Sequence, residues 1–121
     1  PYILYTIVRI KSILNKYRAN GGTVKKGHLL APAGASEKEL MLALTNFSST
    51  VEQAYEELAP HKICAFIYEL ANDFNHFYHE TKIIAEEDKK KQAGYISLVT
   101  LTRNVLMTCI NVLGFDAPER M

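Results

Sequence analysis

Residues 60–79 read PHKICAFIYELANDFNHFYH, and this stretch decides the fold. Its apolar side chains recur at spacings of three and four, which is the pattern of one buried helical face: Ile63, Ile67, Leu70, Phe74 and Phe77. Pro60 suits the first turn of such a helix, where a backbone N–H has no intrahelical partner. The stretch therefore predicts a long helix, about 60–79, that passes through the middle of a helical bundle.

The first twenty residues carry a second stripe of the same kind. It is formed by Ile3, Ile7, Ile10, Leu14 and Tyr17. Gly21 and Gly22 follow, and paired glycines are typical of a helix end. The spacing predicts a helix from Tyr2 to about Asn20.

Two shorter helices are expected between these long ones. Residues 21–35 hold four glycines and a proline with little periodicity, which predicts a loop inside the fold. Ser36 and Glu39 match the capping box, which predicts a second helix from Ser36 to about Asn46. Ser48 or Ser49 is expected to cap a third helix, whose apolar side is predicted to be Val51, Ala54, Tyr55 and Leu58.

The last helix is predicted from a run of charge. Three acids followed by three lysines at 86–91 favour a helix start, because acids suit the positive end of the helix dipole. The helix is continued at helical spacing by Leu98, Leu101, Val105, Cys109 and Val112, and Gly114 is predicted as the first residue beyond the helix. No long alternating segment indicates a strand. The fold class is therefore all-α, about five helices in one domain spanning 1–121.

The composition excludes some classes of protein and leaves others open. The chain has 121 residues, 48% hydrophobic, with a formal net charge of +1, so bulk charge alone does not indicate a nucleic-acid partner. Cys64 and Cys109 are far apart among apolar residues, which predicts buried free thiols. No apolar run approaches about 20 residues, so we expect no membrane span and a cytoplasmic location. The absence of an initiator Met before Pro1 suggests a fragment of a longer protein.

The sequence carries no recognised catalytic signature, neither a Gly-rich phosphate loop nor a nucleophile in a familiar setting. Asp73, His76 and His79 are spaced three apart and could in principle approach a metal ion, but ordinary surface histidines are the favoured interpretation. Residues 89–91 are three lysines that fit a solvated helix face. We therefore expect no catalytic site and no metal in this chain.

Aromatic and polar residues share the sides of two helices that face away from the predicted core. In the first helix these are Tyr2, Tyr5, Arg9, Ser12 and Lys16, and in the fourth Tyr68, Asn75, Tyr78 and His79. Aromatic rings stack on unpaired bases, and Arg and Asn hydrogen-bond to base edges or phosphates. Tyrosines that simply pack between helices fit the same pattern. Periodicity leaves both interpretations open.

Three segments resemble the DALR-type anticodon-binding domain of arginyl-tRNA synthetases. The opening residues 1–6, with Arg9 and Ser12, resemble the first helix of that family. Residues 68–78 resemble its Tyr-x-x-Leu-Ala-x-x-Phe-Asn-x-Phe-Tyr segment, and 113–121 resemble its ending on Pro-Glu-Arg-Met. The resemblance covers the whole chain with the segments in the family order.

The resemblance implies a tRNA-binding function for this chain. It implies that the anticodon loop of arginine tRNA is surrounded by Tyr2, Tyr5, Arg9, Asn75, Tyr78 and Met121. The base recognised would be the middle cytosine of the anticodon. A separate catalytic domain of the parent synthetase would use ATP, arginine and Mg²⁺, and none of these is expected to bind here. The alternative is a helical protein-interaction module that does not bind RNA.

Overall fold

The architecture is all-α, as predicted from the sequence. A computed structural model describes residues 2–24 and 29–114, and these residues form five helices and no strand. The helices are α1 (Tyr2–Ala19), α2 (Ala35–Thr45), α3 (Phe47–Glu56), α4 (Pro60–Glu80) and α5 (Lys89–Gly114). The helix count is confirmed.

The α4 helix packs against each of the other four helices, as its apolar stripe predicted. Ile63, Ile67, Leu70, Phe74 and Phe77 are all buried. The same core cluster receives Ile10 and Leu14 from α1, Leu40 from α2, Ala54 from α3 and Leu106 from α5. Every helix therefore contributes to one hydrophobic core, and α4 is its centre. Pro60 occupies the first turn of α4 as predicted.

Helix α1 ends as predicted at the paired glycines. Gly21 has a φ of +89°, and its N–H donates to the carbonyl of Arg18. The N–H of Gly22 donates to the carbonyl of Tyr17, which completes a Schellman cap. Of the predicted loop 21–35, residues 21–24 and 29–34 are not helical, whereas Ala35 already belongs to α2.

The predicted serine caps of α2 and α3 are wrong. Helix α2 begins one residue earlier, with Gly34 at the N-cap, and Ser36 is buried inside its first turn. The carboxylate of Glu37 accepts the N–H of Ala33, the residue before the N-cap, at 3.3 Å, and no side chain caps α2. Helix α3 begins after Asn46, before both serines. Only one residue separates α2 from α3, which leaves no room for a serine cap.

Three residues of the predicted apolar helix patterns lie outside the core. Tyr55 is exposed, and Leu58 lies beyond α3 with a φ of +50° and 87% of its surface exposed. Leu101 of α5 is exposed as well. Helical spacing identifies the apolar face of a helix. How much of that face is buried depends on how the neighbouring helices pack against it.

Cys64 is exposed, so its predicted burial is wrong, whereas Cys109 is buried as predicted. Burial raises the pKa of the Cys109 thiol to about 11. The two cysteines remain unpaired. Their environments differ because Cys64 lies outside the apolar stripe of α4.

Helix α5 starts where the charge run predicted. The carboxylate of Asp88 accepts the N–H groups of Lys90 and Lys91 at 3.0 and 3.3 Å, which caps the first turn. Helix α5 includes Gly114, so that glycine is not the first residue beyond the helix as predicted.

The length and apolarity of α5 correct one further expectation. Within the described ranges α5 is the one helix that contains a stretch long and apolar enough, by length and composition alone, to cross a membrane. The expectation that no apolar run approaches this length was therefore too strong. Leu98, Val99 and Leu106 of this helix are fully buried in the core, and core helices pass the same test.

Candidate nucleic-acid interface

The outward faces of α1 and α4 meet along a polar and aromatic surface. We call this the α1–α4 surface, defined by Tyr2, Tyr5, Thr6 and Arg9 of α1 and by Tyr68, Asn72, Asn75 and Tyr78 of α4. Five of the six residues that the resemblance implied lie here. The sixth, Met121, and the rest of the predicted Pro-Glu-Arg-Met ending lie outside the described residues.

Asn75 is the centre of the hydrogen bonds on this surface. Its side-chain amide donates to the hydroxyls of Tyr2 and Thr6, each at 2.9 Å. Its carbonyl oxygen accepts from Nη1 of Arg9 at 2.8 Å. Asn75 is only 7% exposed, and both of its amide hydrogens are in use. Its structural role in the described chain is therefore to hold three α1 side chains in place.

Arg9 lies against two tyrosine rings. Its guanidinium carbon is 4.3 Å from the ring centre of Tyr78 and 4.7 Å from that of Tyr5. These distances are typical of cation–π contacts. Its Nη2 also donates to the hydroxyl of Tyr5. The guanidinium is thus fixed in orientation by one amide, one hydroxyl and two rings.

Arg9 has no carboxylate partner among the residues that the structure describes. A half-buried cation loses part of its hydration, and the contacts to neutral groups replace that hydration only in part. The planar guanidinium has five N–H donors, of which two are used here. A phosphate oxygen or an acceptor on a base edge could accept hydrogen bonds from the remaining N–H groups.

Tyr2 joins the two helices through its hydroxyl and its ring. The hydroxyl donates to Oδ1 of Asn72 at 2.8 Å while it accepts from Asn75. Its ring lies parallel to that of Tyr68, with an interplanar angle of 9° and centres 6.1 Å apart. Tyr68 remains 52% exposed. An aromatic side chain stacked on Tyr2 is therefore open to solvent.

Charges are segregated around this surface. Helix α1 carries Arg9, Lys11, Lys16 and Arg18 and no acidic residue. The acidic residues of α4 lie on its other edge, toward α2, where His76 is 3.6 Å from Glu39 and 3.3 Å from Glu80. Lys11 and Arg18 lie on the opposite side of α1 from Arg9, so the α1–α4 surface carries one charged residue, the cation Arg9, and no acidic residue.

The acidic edge does not form a metal site in the described part of the chain, where no group of three metal-ligating side chains comes together. Burial raises the pKa of Asp73, and repulsion from Glu69 and Glu39 raises it further. His76 pairs with glutamates, consistent with the favoured interpretation of an ordinary surface histidine. The carboxyl groups of this edge thus repel one another around a single imidazole.

Two members of the surface, one ring contact and one signal were missed from the sequence. Thr6 was not predicted to take part, and neither were Asn72 as a partner of Tyr2 nor Tyr68 as its stacked neighbour. The missed signal is the charge of α1, since a helix with four basic and no acidic residues stands out in a chain of net charge +1. Counting charge by helix instead of over the chain would have found it.

Comparison with known proteins assigns this chain to a family. The family model described as the DALR anticodon-binding domain matches residues 3–121. The chain belongs to the DALR anticodon-binding domain family. This membership confirms the resemblance found in the sequence, whose α1 and α4 segments lie together on one surface.

Curated relatives match this DALR domain along its whole length. An arginine–tRNA ligase of Agathobacter rectalis is 58% identical and one of Alkaliphilus oremlandii is 50% identical. An arginine–tRNA ligase of Francisella tularensis is 37% identical. The chain spans about a fifth of the length of these relatives, 21%, 20% and 22% respectively.

Proposed function

We propose that this DALR domain binds the anticodon loop of arginine tRNA as part of an arginine–tRNA ligase. The observation that carries the proposal is Arg9, which is oriented by Asn75 and two tyrosine rings and has no carboxylate partner in the described chain. The family membership and the names of the relatives support the same function.

The exposed and partly exposed side chains of the surface are proposed to contact RNA, and the buried Asn75 is proposed to position them. Arg9, Tyr5 and Tyr78 supply hydrogen-bond donors and ring faces for an unpaired base, each stacked base contributing roughly 1–3 kcal/mol. Tyr2 supplies a ring and a bridging hydroxyl, and Asn75 acts by positioning, since its own donors are occupied. Met121 is proposed to close the site from the end of the chain.

The proposed base is the middle cytosine of the anticodon. Cytosine offers one amino donor and two acceptors on its pairing edge, and a fixed guanidinium presents donors to such acceptors. Guanine is larger and has a different order of donors and acceptors, so we expect the site to reject it.

The activity, substrates and partners of the whole enzyme also belong to this proposal. ATP, arginine and Mg²⁺ are proposed to bind in a catalytic domain elsewhere in the ligase, which is also a proposed partner of this domain. The residues of this chain do not fit them, since the sequence has no phosphate-binding glycine loop and the described part shows no metal-ligating cluster. We propose a cytoplasmic location for the enzyme.

Titration of the full-length ligase with two tRNAs tests the proposal. One is arginine tRNA, and the other is the same transcript with the middle anticodon cytosine replaced by guanosine. We expect tighter binding of the first at constant salt concentration. Equal affinity for both would contradict anticodon recognition, and absence of tRNA binding would favour a protein-interaction module.

A further inference from the structure

A shallow cleft adjoins the α1–α4 surface at the end of α4. Its volume is about 380 Å³, and it is lined by Ile13, Lys16, Tyr78, His79 and the connection 81–85. Tyr78 borders both this cleft and the guanidinium of Arg9, which is 4.3 Å from its ring centre. The cleft is thus a direct continuation of the proposed anticodon site.

The walls of the cleft differ in polarity. Its inner side is apolar, because Ile13 and Ile83 are buried and Ile84 is partly buried. Lys16, His79 and Lys82 are exposed at its edge. None of the described residues that line the cleft has a carboxylate. An apolar floor with a basic edge and no acid suits a sugar whose phosphate lies at the edge.

The two lysines at the edge have no ion-pair partner in the described ranges. Lys16 follows Arg9 by two helical turns on the same side of α1, about 10 Å along the axis. Lys82 also borders a neighbouring cleft that contains Glu37, Glu80 and Glu86. The positive charge of Lys16 is therefore offset less by nearby carboxylates than that of Lys82. Removal of Lys16 should weaken tRNA binding more than removal of Lys82.

We propose that this cleft binds a ribose and backbone phosphate of the tRNA strand next to the base held at Arg9. Lys16 and Lys82 neutralise the phosphate, His79 donates an N–H to it, and the partly buried Ile84 packs against the sugar. The inference rests on the proposed function, because it extends the same RNA site to one unit of the backbone.

The salt dependence of tRNA binding distinguishes this backbone site from base recognition. In the full-length ligase, K16A/K82A should bind arginine tRNA more weakly than wild type at low salt, and the two should converge as salt rises. The slope of log K against log salt should become shallower by about 0.7 for each phosphate that the variant no longer neutralises. Preference for the middle cytosine should persist, since binding to a phosphate carries no base information.

Two matched variants serve as controls. K11A/K90A removes the same total charge from exposed lysines outside the cleft. It should leave the slope closer to that of wild type. K16R/K82R keeps the charge and should restore most of the slope. If K16A/K82A and K11A/K90A changed the slope equally, the cleft would have no specific role.

Inorganic phosphate tests whether the cleft takes a free anion instead of RNA. Competition by phosphate that exceeds competition by chloride at equal ionic strength and disappears in K16A/K82A, with the tRNA slope unchanged, would overturn the proposal in favour of a free-anion site. Failure of wild type to discriminate the two tRNAs would contradict the proposed function instead. Normal discrimination with an unaltered K16A/K82A slope would contradict this inference alone.

Discussion

Nη1 of Arg9 donates a 2.8 Å hydrogen bond to Oδ1 of Asn75, so the orientation of a partly exposed cation depends on a buried amide. The same amide donates to Tyr2 and Thr6. A single α4 residue thereby sets the positions of three α1 side chains. The stability of the fold and the geometry of the proposed RNA site are coupled at this point.

Replacing Asn75 by Ala should lower the free energy of unfolding by about 1–3 kcal/mol, because the buried Thr6 hydroxyl and the Arg9 guanidinium lose a partner. Urea denaturation measures this loss. Asn72→Ala is the matched control, since it removes one exposed hydrogen bond to Tyr2 and should change stability by less than about 1 kcal/mol. Equal losses in the two variants would contradict the central role of Asn75.

Replacing Arg9 by Lys separates charge from geometry. Lysine keeps the positive charge but cannot hold the planar donor pair that joins Asn75 and Tyr5. The proposed site predicts a loss of cytosine preference of about 1–3 kcal/mol with a nearly unchanged salt slope. Competition binding with the two tRNA transcripts at several salt concentrations gives both quantities. Arg9→Ala should lose the preference and part of the slope, and Lys11→Ala should lose neither.

The long helices could be predicted from sequence because their core residues repeat at helical spacing. The α4 stripe, the glycine end of α1 and the Asp88 region at the start of α5 are local features. The starts of α2 and α3 are different, because Gly34 and Asn46 occupy the N-cap positions without a side-chain cap hydrogen bond, so no capping motif in the sequence marks them. The caps were predicted at the nearest serines, and that prediction is wrong.

Most residues of the α1–α4 surface could be predicted from the sequence. The hydrogen bonds and ring contacts that join them could not. The resemblance gave Tyr2, Arg9, Asn75 and Tyr78 as neighbours, and the structure brings them together. Asn75 is buried because α1 packs closely against α4. The spacing of residues within one helix does not show how closely a neighbouring helix packs. The stacking of Tyr68 on Tyr2 depends on the same close packing.

The acidic edge of α4 predicts a pH-dependent stability. Folding raises the pKa of Asp73 above its ordinary value of 3.8, through burial first and then through Glu69 and Glu39. The folded state therefore binds a proton there more tightly than the unfolded chain does. The ionised carboxyl destabilises the fold at pH values above its folded pKa, and this penalty disappears below 3.8.

Asp73→Asn should accordingly stabilise the protein at neutral pH. The like charges at Asp73 and Glu69 are one helical turn apart, and relief of such repulsion contributes about 0.2–0.5 kcal/mol. Thermal unfolding at pH 7 and at pH 3.5 measures the difference. The gain should be present at the higher pH and absent at the lower one. Glu87→Gln, at an exposed position outside this edge, should show no comparable gain.

Two helix ends of the same type carry different residues in the left-handed position. Gly21 follows α1 with a φ of +89°, and Leu58 follows α3 with a φ of +50°. At both ends the next N–H reaches back into the helix, from Gly22 to Tyr17 and from Ala59 to Ala54, at 2.9 Å in each case. A side chain in this conformation costs roughly 1–2 kcal/mol, whereas glycine adopts it freely.

Opposite substitutions at these ends should therefore have opposite effects on stability. Gly21→Ala should lower the free energy of unfolding by about 1 kcal/mol, because it introduces the strain. Leu58→Gly should raise it by about 0.5–1 kcal/mol, since the strain exceeds the entropy that glycine adds to the unfolded chain. The side chain of Leu58 is 87% exposed, so this variant gives up little apolar burial. Urea denaturation of both variants measures the pair, and a destabilised Leu58→Gly protein would show that packing of the Leu58 side chain outweighs its backbone strain.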